Sequence, residues 1–197
     1  MTHRMRPIYA ALMLSLLAVA AGFYLGGDAA QQTQLAARYT ARVAFPIFLI
    51  VYASSAIATL WPNEMIRGVL RTRRQWGLAF ALAHGVHLVA LITYFRVSGD
   101  TPKTISLALG GPAYVLIAMM AATSNDAAMR ALGVWWKRLH RLGIHWVWLV
   151  FTLSYLGRTI DPERMAQGVV LFPIAAAAGL LRLAAWLKRR RRVPTAL

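Results

Sequence analysis

The chain has 197 residues, 59% of them hydrophobic and 14% charged, with a mean hydropathy of +0.53. That is more apolar surface than one water-soluble domain of this size can bury. Its 22 Lys and Arg against 6 Asp and Glu give a net charge of +16, an excess that in so apolar a chain points to a membrane before it points to nucleic acid. With no Cys, disulfides, thiolate zinc sites, cysteine-ligated iron–sulfur clusters and a thiol nucleophile are excluded, which leaves His as the strong transition-metal ligand.

Six apolar stretches lie at about 8–26, 42–60, 76–96, 105–122, 139–157 and 168–187, each close to the ~20 residues a helix needs to cross ~30 Å of hydrocarbon. Lipid offers no partner to a backbone amide, so each must be helical. The expected fold is therefore all-α: a polytopic six-transmembrane-helix bundle forming one domain over 1–197, with a basic tail at 188–197. The first stretch follows Arg4 and Arg6 and precedes Gly26-Gly27-Asp28. It is longer than a signal-peptide core, and so is expected to remain as a span. In the second, Ser54, Ser55 and Thr59 are small polar residues suited to close helix packing. The breaks Trp61-Pro62-Asn63, Ser98-Gly99-Asp100 and Asp161-Pro162-Glu163 carry turn signals. Gly110-Gly111-Pro112, inside the fourth stretch, reads as a packing or kink feature rather than a phosphate cradle. Tyr94 and Tyr155 read as interfacial belt aromatics.

Orientation follows from the cations, which accumulate beside spans on the cytoplasmic side. With both termini inside, the cytoplasmic segments hold 16 of the 22 Lys and Arg, among them Arg67, Arg71, Arg73, Arg74, Lys137, Arg138, Arg141 and the run Lys188 to Arg192. The location expected is a bacterial inner membrane, with the basic tail against anionic headgroups. Nucleic acid is not expected as a partner, because the aromatic interleaving of a stacking platform is absent. The acids Asp28, Glu64, Asp100, Asp126, Asp161 and Glu163 fall in loops or at span ends, which leaves no carboxylate for a proton relay inside the bilayer.

Ionisable groups within a span are costly, so the histidines call for a reason. His84 and His87 lie on the third span, about 60° apart around a helix, whereas His140 and His145 on the fifth are about 140° apart. Two imidazoles that share one haem iron must lie at similar depth. Taking Trp76 and Trp136 as interfacial anchors, His84 lies ~12 Å in, His87 ~16 Å, His140 ~6 Å and His145 ~14 Å. By depth, His84 or His87 pairs best with His145.

The segments around these histidines resemble a known family. Arg73-Arg74-Gln75-Trp76-Gly77-Leu78, followed by Phe80 and His87, is similar to the third helix of the ferric reductase-like transmembrane domain. Thr123-Ser124-Asn125, Leu132-Gly133 and the run Trp136-Lys137-Arg138-Leu139-His140-Arg141-Leu142 resemble its loop into the fifth helix. The resemblance covers roughly 40–187 and implies a six-helix bundle that binds b-type haem and moves electrons. In size the chain is most similar to the family's small haem-binding subunits that serve a periplasmic methionine-sulfoxide reductase, since larger members append flavin and nicotinamide domains. By motif position His87 and His140 match haem-site histidines as axial ligands. The family commonly carries a second His thirteen or fourteen residues after the latter, where this chain has Leu153 and Ser154. Either His145 substitutes, or His87 and His140 act with other ligands, or the haem has been lost.

The expected function is thus a haem b electron carrier, a possible oxidoreductase component fed by a flavoprotein or quinol donor and discharging to a periplasmic acceptor. His87, His140, His84 and His145 are the candidate ligands, and Arg73, Arg74, Lys137 and Arg138 the candidates for propionate or partner contacts. The alternative is a haem-free membrane scaffold that keeps the fold.

Overall fold

The computed structural model describes residues 2–191, and among them it contains eight α-helices and no strand. The chain runs through α1 (Thr2–Leu25), α2 (Ala29–Leu60), α3 (Glu64–Arg71), α4 (Arg73–Ser98), α5 (Thr104–Ala122), α6 (Asp126–Leu132), α7 (Val134–Arg158) and α8 (Met165–Arg191). Five of these, α1, α2, α4, α5 and α8, are long and apolar enough to cross a membrane. α7 is 25 residues long but is not among the five. Its first two turns carry Lys137, Arg138, His140 and Arg141. The basic tail expected at 188–197 is helical as far as Arg191; 192–197, with Arg192, lies outside the described residues.

Local chemistry sets the boundaries. Between α1 and α2, Asp28 Oδ1 accepts the Gln31 amide at 2.8 Å while Gln31 Oε1 accepts the Gly27 amide at 2.7 Å, a reciprocal arrangement akin to a capping box. This cap starts α2 thirteen residues before the expected span at 42–60, so the helix of 32 residues is roughly 48 Å long and exceeds the hydrocarbon thickness. Asn63 caps α3 by accepting the Ile66 amide at 2.9 Å, and Asn125 caps α6 by accepting the Ala128 amide at 2.8 Å. Both short helices fall where the sequence reads as connecting loop. Gly133, at φ +50, closes α6 with a positive φ that a side chain would strain.

The helices divide into two compact units, one formed by the residues up to Phe48 together with Arg74–Leu139, the other by Leu49–Arg73 together with the residues from His140 on. The division within α2 falls two residues after Pro46, whose ring removes one helical hydrogen bond.

In the first unit, α1 and α2 meet through small residues. Ala11, Ser15 and Ala18 on α1 and Ala36, Ala37, Thr40 and Ala44 on α2 are buried, and Gly22 lies directly on the Ala36 backbone. Such stripes let backbones approach closely where lipid supplies no hydrophobic drive. On α4, Ala79, Phe80, Ala83 and His84 are buried, as are Ala113 and Ile117 on α5. Gly110 and Gly111 face open space, so they form no close helix contact, and Pro112 leaves the kink reading of that stretch standing. Tyr94, expected in an aromatic belt, ties α2 to the turn that follows α4, since its hydroxyl accepts from Gln34 at 3.4 Å and donates to Asp100.

In the second unit, α8 runs parallel to the end of α2. Arg182 Nη1 donates to the Tyr52 carbonyl at 2.8 Å, Arg189 Nη1 to Thr59 Oγ1 at 3.0 Å and Lys188 Nζ to the Leu60 carbonyl at 3.1 Å. Two of the cations expected to face headgroups therefore sit at the carbonyl end of α2, where positive charge is favoured. Ser54 is buried as a packing residue. Tyr155 is not a belt aromatic: it is 2% exposed and stacked on Phe151 at 6.2 Å, because its face of α7 turns inward. Trp148 Nε1 donates to the Ala175 carbonyl at 2.8 Å, and its indole lies where a Cβ on Gly179 would be. Ala at Gly179 should displace that indole and cost about 1–3 kcal/mol as overpacking does, read as a lower melting temperature in detergent; an unshifted transition would refute this role for the glycine.

Candidate functional site

The first unit carries His84 and His87, three residues apart on α4, with ring centroids 5.4 Å apart. His84 is buried at 9% exposure against the rings of Phe80 at 5.2 Å and Tyr114 at 4.8 Å. His87 is half-buried, and its Nδ1 lies 3.2 Å from Thr40 Oγ1. The Thr40 hydroxyl has one proton, which goes to the carbonyls of Ala36 at 2.8 Å and Ala37 at 3.1 Å. His87 Nδ1 must then be the donor and Thr40 the acceptor, so the lone pair of the neutral ring sits on Nε2.

The second unit carries His140 and His145 on α7. His140 is half-buried and His145 exposed. His145 Nδ1 lies 2.7 Å from the Arg141 carbonyl, a group that can only accept. His145 is therefore held in the same tautomer, with its lone pair on Nε2. Its ring meets Tyr52 edge-on at 5.8 Å, and Tyr52 stacks on Trp148 at 5.9 Å.

Each unit thus presents one imidazole whose Nδ1–H is tied to an oxygen, the outer-shell arrangement that orients metal-bound histidines and raises their basicity. Neutral imidazoles of this tautomer suit a haem iron, and no cluster of three or more His, Asp or Glu able to hold a metal ion occurs among the described residues. The donor set fits a haem held by single imidazoles better than a free metal ion, whose sites combine several protein ligands.

The four candidate cations differ in what they touch. Arg74 donates from Nε to the Ser124 carbonyl at 2.6 Å and from Nη1 to Asp126 at 2.8 Å, so it clasps the start of α4 to the α5–α6 connection. Trp136 reinforces that connection by donating to the Thr123 carbonyl at 2.9 Å. Lys137 and Arg138 are exposed, and Arg138 lies over the Trp135 ring at 4.6 Å. Arg73 belongs to the second unit and lies within electrostatic reach of Arg182. Thr40, Tyr114, Tyr52 and Arg182 escape a reading by motif. For Arg182 a signal existed, since a cation inside an apolar stretch is itself a functional pointer.

No family model and no solved structure matches the chain, so the wider ferric reductase-like resemblance rests on the motif residues. The chain is similar to curated proteins named protein-methionine-sulfoxide reductase haem-binding subunit MsrQ. The one from Bordetella pertussis is 27% identical over 197 residues, covering 95% of this chain and 92% of the relative. The one from Yersinia pestis (strain Pestoides F) is 24% identical over 181 residues, covering 88% of this chain and 84% of the relative. With five apolar helices of spanning length, the chain is a multi-pass membrane protein.

Proposed function

We propose that this chain is a haem b electron carrier of the bacterial inner membrane, with α7 as a sixth span beside the five apolar helices and both termini cytoplasmic. It takes electrons from a separate flavoprotein or quinol donor and delivers them to a periplasmic acceptor, by the relatives' name a methionine-sulfoxide reductase. The haem, when bound, supplies the one-electron chemistry. The chain supplies the axial imidazoles, their orientation and a surrounding of low dielectric that tunes the potential.

The observation that carries this reading is that His87 Nδ1 and His145 Nδ1 each lie within hydrogen-bond distance of an oxygen, from which the shared tautomer follows. His87 is the ligand on which motif and depth agree. On α7 the motif favours His140, whereas depth and the Arg141 carbonyl favour His145. His84, enclosed by aromatic rings, stands behind His87 as a packing neighbour or alternative ligand. A haem-free scaffold is the second reading, favoured by Leu153 and Ser154 where the family has a histidine.

The two readings separate in an absorption spectrum. Protein purified from haem-replete cells should give sharp b-type bands on reduction with dithionite, and single Ala variants at His84, His87, His140 and His145 should show which imidazoles hold the iron. A featureless visible region in the unaltered protein would remove the carrier reading and leave the scaffold.

A further inference from the structure

We propose that Arg182 holds a propionate of a haem ligated by His145. This rests on the haem reading above and assigns the anion-binding end of that site to a cation in the middle of α8.

Arg182 lies within an apolar stretch of α8, where a bare charge is costly and calls for a partner. Its visible contacts do not neutralise it. Nη1 donates to the Tyr52 carbonyl at 2.8 Å, and the guanidinium carbon lies 4.6 Å above the Tyr52 ring. Both hold the group in place, but neither carries a negative charge. The described ion pairs use Arg67 with Glu64, Arg74 with Asp126 and Arg164 with Asp161. Arg73 and Arg189 lie within electrostatic reach of Arg182, and among the described residues no carboxylate pairs with it. A half-buried guanidinium such as that of Arg182, set among further cations, calls for an anion from elsewhere.

The geometry of the second unit indicates which anion. His145 meets the edge of the Tyr52 ring at 5.8 Å, and Arg182 lies over the same ring. An imidazole set to bind iron and a guanidinium lacking a counter-charge therefore flank one aromatic side chain. Haem b carries its two carboxylates along one edge of the porphyrin, and a guanidinium keeps several N–H donors in a planar fork suited to a carboxylate. Of the cations marked in the sequence, Arg74 is paired with Asp126, and Arg73 is the one whose charge acts on Arg182.

The test is a spectroelectrochemical titration of the full-length protein purified with its haem, in unaltered form and as Arg182→Leu, Arg182→Lys and Arg73→Leu. Removing a cation beside a propionate destabilises the ferrous state, which carries one positive charge fewer than the ferric. Arg182→Leu should therefore lower haem occupancy and move the midpoint to more negative potential. Arg73→Leu should give a smaller shift of the same sign, and Arg182→Lys should restore most of the potential. A midpoint unmoved in Arg182→Leu and Arg73→Leu would overturn the assignment while leaving the haem reading intact. Absence of haem bands from the unaltered protein would overturn both. Should Arg182→Leu fail to fold, Arg182→Lys and Arg73→Leu still decide, because a purely structural role would leave the potential of the Arg73 variant where it was.

Discussion

Replacing His87 with Ala is expected to abolish the b-type bands of the reduced protein, or to convert them to those of a haem with one axial ligand lost. The ring is held by Thr40, whose own proton is committed to the Ala36 and Ala37 carbonyls, so that Nδ1–H points at Thr40 Oγ1 and Nε2 carries the lone pair. Thr40→Val removes the acceptor but keeps the volume, and should weaken haem retention by about 10–100-fold, the range found when outer-shell partners of metal ligands are lost. The pair of variants separates ligation from packing: if His87 merely fills space, Thr40→Val should leave haem titration unchanged. Haem spectra unaltered in His87→Ala would overturn the ligand assignment on α4.

Leu at Gly22 should be the most damaging change to the fold of the first unit. A Cβ there meets the amide nitrogen and Cα of Ala36, which are backbone atoms of α2 and cannot swing aside as a side chain would. The helices must separate at Ala36, and the buried small residues of both helices are disturbed with them. Overpacking usually costs about 1–3 kcal/mol, and a backbone obstacle places Leu at or beyond the upper end. Because Thr40 donates to the carbonyl of that same Ala36 and contacts His87, haem loss should accompany the fall in melting temperature in detergent. A Gly22→Leu protein with an unchanged melting temperature would show that α1 does not need this close approach.

How much could be read from the chain alone differs between spans and site. The apolar runs gave α4, α5 and α8 to within four residues at either end, and α1 except for its first six residues, because hydropathy over about 20 residues reports the apolar length a span needs. It failed on the first thirteen residues of α2, where Gln31, Gln32, Thr33, Gln34 and Arg38 are polar and the helix depends on the Asp28 cap. It failed also on α3 and α6, which are too short for any such window and depend on Asn63 and Asn125. Local caps are visible in a sequence only to a reader who expects a helix after them.

In the site, the histidines stood out because His is rare in apolar stretches, and the motifs marked His87 and His140. Their partners did not stand out. Thr40 lies 47 residues from His87, and Tyr52 lies 130 residues from Arg182, so neither pairing leaves a periodic trace. Arg74 matched a family motif, yet its partner Asp126, 52 residues on, leaves no trace in the sequence pattern.

The register of α8 against α2 bears on how the protein can be handled. Lys188 and Arg189 close over the last carbonyls and hydroxyl of α2, so the positive end of the chain acts partly as an internal clasp. Truncation before Lys188 would strip two donors from a helix terminus more than a hundred residues upstream, loosening the segment that carries Tyr52. An affinity tag is therefore better joined beyond Arg191 than substituted for the basic run.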